Sequence, residues 1–292
     1  MSSPKNSEKP LRIPPWLRTK LPQGNNYSCT SSLIRDLGLN TVCQSAKCPN
    51  TWECFGKKVA TFLIMGGICT RNCRFCNITS GDLEPLDPTE PGRVAEAAER
   101  LELRHVVITS VTRDDLPDGG ASHFAATIRA VREKLPDASV EVLIPDFQGE
   151  KQALRTVLDE RPDIMNHNVE TVPRLYESIR PQADYAQSLE VLRRSKEIAP
   201  DIPTKSGLML GLGEEDTEVM RVLDDLAAVD CDIVTIGQYM RPTKDHPPVR
   251  RYVPPAHFDE FAAAGEAKGI PHMFSAPLVR SSYNASRFVG KK

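Results

Sequence analysis

Three cysteines spaced Cys69-x3-Cys73-x2-Cys76, with Phe75 just before the last, follow an apolar run at residues 61–65. Thiolates in this number and proximity are ligands for zinc or for iron–sulfur clusters. A four-iron cube closed by four thiolates only passes electrons, whereas three protein thiolates leave one iron free to bind a small molecule and do chemistry on it. A structural zinc knuckle uses similar spacing, but it needs a fourth ligand close by. Residues 65–82 hold no fourth Cys and no His. The pattern points to catalysis at an open iron.

A second triad lies upstream as Cys43-x4-Cys48-x5-Cys54, so six of the eight cysteines fall between positions 43 and 76. That density in an intracellular type of chain signals metal or redox chemistry rather than a disulfide framework. The second triad also lacks a fourth Cys nearby. Either Cys29 completes it, or a non-cysteine ligand arrives from far along the chain. Otherwise Cys29 and Cys231 are expected to be small buried thiols.

The elements that must position these ligands are legible around them. From residue 59 onward, short β-branched runs at 61–65, 105–111, 140–145, 164–169, 204–210 and 232–238 alternate with amphipathic stretches at 91–101, 121–134, 151–160, 185–198 and 215–229. Strands followed by helices in regular repeat predict an α/β fold, an open or closed (β/α) barrel of six units. In such barrels function gathers at the C-terminal strand ends. The Cys69–Cys76 loop follows the first strand, and the loops at 112–120, 168–170, 211–215 and 238–242 ring the same mouth. Candidate cofactor contacts there are Thr109, Ser110, Glu170, Arg180 and the backbone around Met240. Glu170 at a strand end suits ribose hydroxyls, or alternatively is a solvated loop carboxylate or a partner of Arg174. Gly119 and Gly120 either admit a ligand against the backbone or simply make a turn. Lys205 and Arg241 are candidates for steering an acidic protein partner, against the default of solvated charge.

With 292 residues, the chain suits one barrel-sized domain with decorated ends. A formal charge of −2, from 37 basic and 39 acidic residues, leaves no electrostatic footprint for nucleic acid. No apolar run reaches the ~18 residues of a membrane span, and the polar, Pro-rich start MSSPKNSEKPLRIPPWLRTKLPQG has no secretory apolar stretch. The reading is a cytoplasmic protein with an extended N-terminal arm.

The spacing of Cys69, Cys73 and Cys76, with Phe75, resembles the radical S-adenosylmethionine (radical SAM) superfamily. Over nearly its whole length the chain resembles the lipoyl synthase family within it. The likeness runs through Pro14 to Arg18, Thr41 to Cys54, Met65 to Cys76, Val111 to Gly120, Asn166 to Leu175, Lys205 to Gly213, Gly237 to Met240 and Val279 to Ala285. The Cys43, Cys48, Cys54 triad together with the Arg280-Ser281-Ser282-Tyr283 tail separates this family from other radical SAM enzymes. Gln44, Ser45, Phe55 and the Gly67-Ile68 pair depart from common family residues, and none of these departures removes a ligand.

The resemblance implies a partial (β/α)6 barrel at 57–270, an N-terminal arm and auxiliary-cluster segment at 1–56, and a tail at 271–292 that closes the auxiliary cluster. It implies two [4Fe–4S] clusters and SAM. Cys69, Cys73 and Cys76 would hold the cluster whose open iron chelates SAM, and reduction would cleave SAM to a 5′-deoxyadenosyl radical. Cys43, Cys48 and Cys54 would hold the auxiliary cluster, completed by a serine oxygen of the tail, Ser282 in preference to Ser281. All seven ligands are thereby catalytic. The implied reaction inserts two sulfurs at C6 and C8 of an octanoyl chain on a carrier lysine, with auxiliary-cluster sulfide as the source. Implied partners are an octanoylated carrier protein or lipoyl domain (E2 subunits, the glycine-cleavage H protein), an electron donor such as flavodoxin or ferredoxin, and an iron–sulfur cluster carrier, with no nucleic acid and no membrane. Competing readings are another sulfur-inserting radical SAM enzyme of biotin-synthase or RNA-methylthiolation type, a two-cluster electron carrier, and a zinc scaffold.

Overall fold

The computed structural model describes residues 11–18 and 26–282. The first ten residues of the expected arm, and Tyr283, Asn284 and Ala285 of the tail, lie outside the described residues.

An N-terminal extension comprises α1 (Asn26–Asp36), β1 (Asn40–Thr41), α2 (Val42–Ser45) and α3 (Thr51–Gly56). β2 (Thr61–Ile64) opens the main sheet, and β3 (Ile68–Cys69) and β4 (Thr79–Ser80) pair in parallel just beyond it. Then follow α4 (Glu90–Arg100), β5 (His105–Ser110), α5 (Ala121–Lys134), β6 (Ser139–Leu143), α6 (Lys151–Leu158), β7 (Ile164–Asn166), α7 (Tyr176–Ile179), α8 (Tyr185–Ile198), β8 (Thr204–Leu210), α9 (Asp216–Ala228), β9 (Ile233–Gln238), α10 (Pro255–Ala267) and β10 (His272–Ser275).

The sheet order is β1-β2-β5-β6-β7-β8-β9-β10. All neighbours are parallel except β1, which runs antiparallel along β2. β2 carries β1 on its outer edge and β10 ends the other side, so the sheet is open and forms a partial barrel. The six anticipated strands are present with ends trimmed by up to three residues, and β10 adds a further parallel strand from a segment read as tail.

Parallel strands covered by helices are apolar along their length because neither face meets water. Phe62, Ile64, Val106, Ile108, Val140 and Val142 are all fully buried, and each contributes about 1.5–3 kcal/mol through the water it sheds. The helices present one apolar stripe to the sheet. On α9 that stripe is Val219, Val222, Leu223 and Leu226, and a capping box between Glu215 and Glu218 fixes where the helix starts. α1 is made of poor helix formers, Asn, Ser and Thr. It is held by tertiary contacts: Tyr27 stacks on Trp52 with ring centroids 4.3 Å apart, and Thr30 Oγ1 donates to Phe55 O at 3.1 Å. Phe55 is fully buried beside Tyr27.

Candidate active site

β2 ends in a sharp turn. Met65 adopts φ +67°, and its N–H donates to Glu90 Oε2 at 2.8 Å, with His123 Nε2 on the same oxygen at 2.7 Å. A Cβ on Gly120 would come within 2.3 Å of Met65 Sδ, and one on Gly119 within 2.9 Å of the Phe147 ring. Packing against neighbouring side chains therefore explains this glycine pair without a ligand. Beyond the turn, the loop with Cys69, Cys73 and Cys76 is tied to four separate parts of the barrel mouth. Thr70 N–H donates to Thr112 O at 3.0 Å, and Arg74 N–H to Ile179 O at 2.8 Å. Asn72 N–H donates to Gln182 Oε1 at 2.6 Å, and His246 Nε2 donates to Cys76 O at 3.0 Å. A fifth tie is Arg71, whose guanidinium reaches both Asp114 and Asp146.

The three thiols feel one another. Burial, with Cys73 and Cys69 adding to it, pushes Cys76 up to about 12, and burial likewise raises Cys73. Such thiols ionise when a metal centre supplies the missing positive charge, which is the behaviour expected of cluster ligands.

The upstream triad is built on two short helices. Thr41 caps α2 by accepting from Gln44 N–H, Cys43 lies inside α2, Cys54 lies on α3, and Cys48 sits between them. Buried Thr51 stitches the segment by sharing its hydroxyl between Cys43 O at 2.7 Å and Cys48 O at 2.8 Å. Burial pushes Cys43 up to about 11 and Cys54 up to about 12, and in each case Cys48 adds to the rise. The C-terminal segment comes to the same spot. Gln238 N–H donates to Pro277 O at 3.1 Å, and a Cβ on Gly237 would meet Val279 O at 2.0 Å, so only glycine lets the chain pass. Asn50 Nδ2 donates to Leu278 O at 2.7 Å, and the Arg280 guanidinium, disfavoured by burial, has the Cys48 thiol as its favourable electrostatic neighbour. Ser281 and Ser282 follow in a half-buried turn. Asn77 Nδ2 donates to Ser45 O at 2.7 Å, joining the downstream cysteine loop to the upstream segment. The upstream segment is thus tied both to the downstream cysteine loop and to the chain beyond β10.

Inside that mouth several buried polar atoms have no partner among the described residues: Ser110 Oγ, His167 Nε2, Asn168 Oδ1 and Arg180 Nε. A buried polar atom left unpaired costs about 1–3 kcal/mol. Their concentration at the ends of β5 and β7 fits a polar cofactor that would satisfy them.

Residues 63–226 match the radical SAM superfamily, and residues 2–48 match the N-terminal domain of lipoyl synthase of the radical SAM family. The chain is 66% identical to a lipoyl synthase of Oleidesulfovibrio alaskensis over 100% of both chains. It is 67% identical to one of Nitratidesulfovibrio vulgaris over 98% of this chain and 95% of that one. The chain belongs to the lipoyl synthase family. A maturase of the [FeFe]-hydrogenase superposes with TM-score 0.59 at 17% identity, over 72% of this chain and 50% of that one. Methylornithine synthase superposes with TM-score 0.52 at 14% identity, over 94% and 90%. These two likenesses concern the fold alone. Radical SAM membership implies a [4Fe–4S] cluster and SAM.

Within this lipoyl synthase fold, the expected cofactor contacts fall as follows. Thr109 commits its hydroxyl proton to Leu143 O at 2.8 Å, tying β5 to β6, while the hydroxyl of neighbouring Ser110 has no partner among the described residues. Glu170, at φ +65°, accepts from Asn168 Nδ2 at 3.1 Å; burial raises it and Arg180 opposes the rise. Arg174 pairs with Glu218 at 2.8 Å, not with Glu170. Arg180 is buried over the Tyr176 ring, donates to Tyr176 Oη and to Asn168 O and Val169 O, and faces Cys73. Met240 is half-buried just past β9.

Two expectations are corrected. Lys205 does not face a partner: it is wholly buried, with Nζ at 2.8 and 3.1 Å from the two oxygens of buried Glu141. Cys29 is exposed, because the inward side of α1 is carried by Thr30, Leu33 and Ile34; Cys231 is buried as expected. Arg241 is exposed. With Arg74, Lys244 and His246 it borders a cleft of about 630 Å³ that reaches Cys76. Sequence reasoning missed His167, a buried imidazole whose Nδ1 donates to Ile144 O at 2.9 Å and which burial pushes down to about 4. The available signal was a run of polar side chains, Asn166-His167-Asn168, interrupting an apolar strand pattern.

Proposed function

We propose that the chain converts an octanoyl group on a lysine of a carrier protein into a lipoyl group by inserting sulfur at C6 and C8. In this reading Cys69, Cys73 and Cys76 hold the SAM-binding [4Fe–4S] cluster. Cys43, Cys48, Cys54 and Ser282 hold an auxiliary [4Fe–4S] cluster that is the sulfur source. C6 and C8 carry no acidic hydrogen, so acid–base chemistry cannot functionalise them; cluster and SAM together supply a 5′-deoxyadenosyl radical, which can.

The protein's own part is binding, orientation and exclusion. Ser110, Glu170, Arg180 and the backbone around Met240 are the proposed SAM contacts, with Thr109 as a strut behind them. The buried imidazole of His167, neutral at pH 7, offers a further acceptor. The five ties on the cysteine loop hold it over the mouth, and the apolar strands below exclude water. Exposed Arg241 and Lys244 are suited to an acidic carrier surface. The electron donor, the cluster carrier and a cytoplasmic setting follow from the same reading, since such clusters need reducing surroundings.

The observation that carries the reading is identity to lipoyl synthases along the whole chain, supported by the tail residues Leu278 and Arg280 meeting the Cys48 segment. The test is an anaerobic incubation with SAM, a reductant and an octanoyl-lysine peptide, followed by mass analysis. Two added sulfurs are expected, with loss of auxiliary sulfide in a single turnover. SAM cleavage without sulfur transfer, or a colourless preparation containing zinc, refutes the proposal.

A further inference from the structure

Arg71 lies between Cys69 and Cys73 and takes no part in the ligand set. Its guanidinium is almost fully buried and engages four of its five N–H donors. Nε and Nη2 donate to the two oxygens of Asp114 at 2.7 and 2.9 Å, and Nη1 and Nη2 donate to the two oxygens of Asp146, both at 2.7 Å. Two forked pairs on one guanidinium fix its plane and position. Asp114 comes from the loop after β5 and Asp146 from the loop after β6, so the clamp fastens the cysteine loop to two strands at once.

The same fastening orients two donors on one ligand sulfur. Arg71 N–H lies 3.4 Å from Cys69 Sγ, and Thr112 N–H lies 3.2 Å from it. Thr112 is itself held: Thr112 O accepts from Thr70 N–H and Thr70 Oγ1, each at 3.0 Å, and Thr70 Oγ1 reaches Asp114 Oδ2 at 3.2 Å. Donors aimed at a ligand sulfur favour the more negative, reduced state of a cluster and raise its potential.

We propose that Arg71 is a positioning residue which, through Asp114 and Asp146, holds the Arg71 and Thr112 N–H groups on Cys69 Sγ and so raises the reduction potential of the cluster bound there. This rests on the assignment of a [4Fe–4S] cluster to Cys69, Cys73 and Cys76. Lysine keeps the charge but cannot form the double fork, and Thr112→Pro removes one donor with no change of charge.

The test is an anaerobic redox titration of the full chain with both clusters loaded, followed by electron paramagnetic resonance. The relevant signal is the one that changes on adding SAM. Arg71→Lys, Arg71→Gln and Thr112→Pro are each expected to lower its midpoint. A tenfold loss in the relative stability of the reduced state corresponds to about 59 mV for one electron. Wild-type potentials in Arg71→Lys and Thr112→Pro overturn the proposal: with lower iron content they make the clamp a structural tie only, and with a drop confined to Arg71→Gln they leave charge as the sole effect. If the Arg71 variants do not assemble the cluster, Thr112→Pro decides by its own midpoint. Absence of any SAM-responsive signal in the wild-type protein would instead refute the cluster assignment.

Discussion

Replacing Lys205 by Met separates two roles that a lysine in this position could play. If it steered a carrier protein, the change would raise the KM for the carrier in a salt-dependent way and leave the fold alone. The structure gives the opposite expectation. Lys205 and Glu141 are both 0% exposed, with Nζ between the two carboxylate oxygens; Glu141 also accepts from Asn166 Nδ2 at 3.2 Å and has His105 Nε2 at 3.5 Å. Removing the lysine leaves a buried carboxylate with one amide and an imidazole for company, a loss of about 3–5 kcal/mol. For a chain of this size, about 2–3 °C of Tm accompanies each kcal/mol, so Tm should fall by roughly 6–15 °C.

The pH dependence has a definite sign. Burial alone would raise Glu141, but Lys205 and His105 outweigh it and hold the carboxyl below its ordinary value. Its contribution in the wild-type protein is present above the unfolded value of about 4.3 and is lost as pH falls toward the lower folded value. Without Lys205 the carboxyl rises instead, so acid should relieve the variant and narrow its deficit. Thermal unfolding of the anaerobic protein across pH 4–8, together with carrier KM at 25 °C, tests the reasoning. The double variant Lys205→Met with Glu141→Met should recover most of the loss, since apolar replacements of a buried pair are often neutral or better. A single variant within 2 °C of wild type, or a salt-dependent rise in KM, would refute the buried-pair argument.

Reversing charge at Arg241 and Lys244 should raise the KM for an octanoylated carrier protein several-fold and flatten its salt dependence, while a short octanoyl-lysine peptide is turned over as before; an equal effect on both substrates removes the docking role. Asp146→Asn should destabilise by about 2–3 kcal/mol at pH 7, because burial would raise Asp146 but Arg71 holds it down to about 2. The wild-type advantage from this carboxylate should fade as pH falls from about 4 to 2, and parallel acid-unfolding curves for the two proteins would contradict it. Ser282→Cys should retain auxiliary iron more firmly and lose sulfur insertion, since a thiolate suits cluster iron better than a serine oxygen; normal sulfur transfer by that variant would sink the idea that a weak ligand releases sulfide.

Periodicity made the central fold legible and left its margins dark. α5, α8 and β8 run over the stretches expected of them, since each has an apolar pattern of the right period bounded by breakers. α10 and β10 gave no such signal. α10 buries only Phe258, Phe261 and Gly265, and the Gly265 site is filled by Met273, whose Sδ would lie 2.4 Å from an added Cβ. That fit between helix and strand exists only in three dimensions. α1 was hidden for a related reason, its helix being maintained by the Tyr27–Trp52 stack and the Thr30 bond rather than by its own sequence. Cysteines were legible because cluster chemistry dictates both residue type and spacing. Partners across the chain were not: Arg71 meets Asp146 from 75 residues away, and Asn50 meets Leu278 from 228.

The contrast between Lys205 and Arg241 shows where more could have been read. Both are cations beside barrel strands, and both suggested a partner surface. Yet Lys205 is the second residue of β8, at the end away from the mouth, whereas Arg241 follows the C-terminal end of β9. In barrels of this kind chemistry gathers at the C-terminal strand ends and the opposite end serves stability. Position along the strand therefore assigns Lys205 to the interior before any partner is known. It also requires an acid nearby, because a lysine is almost never fully buried unpaired. Glu141, the one charged residue in the otherwise apolar run at 140–145, was the acid to suspect.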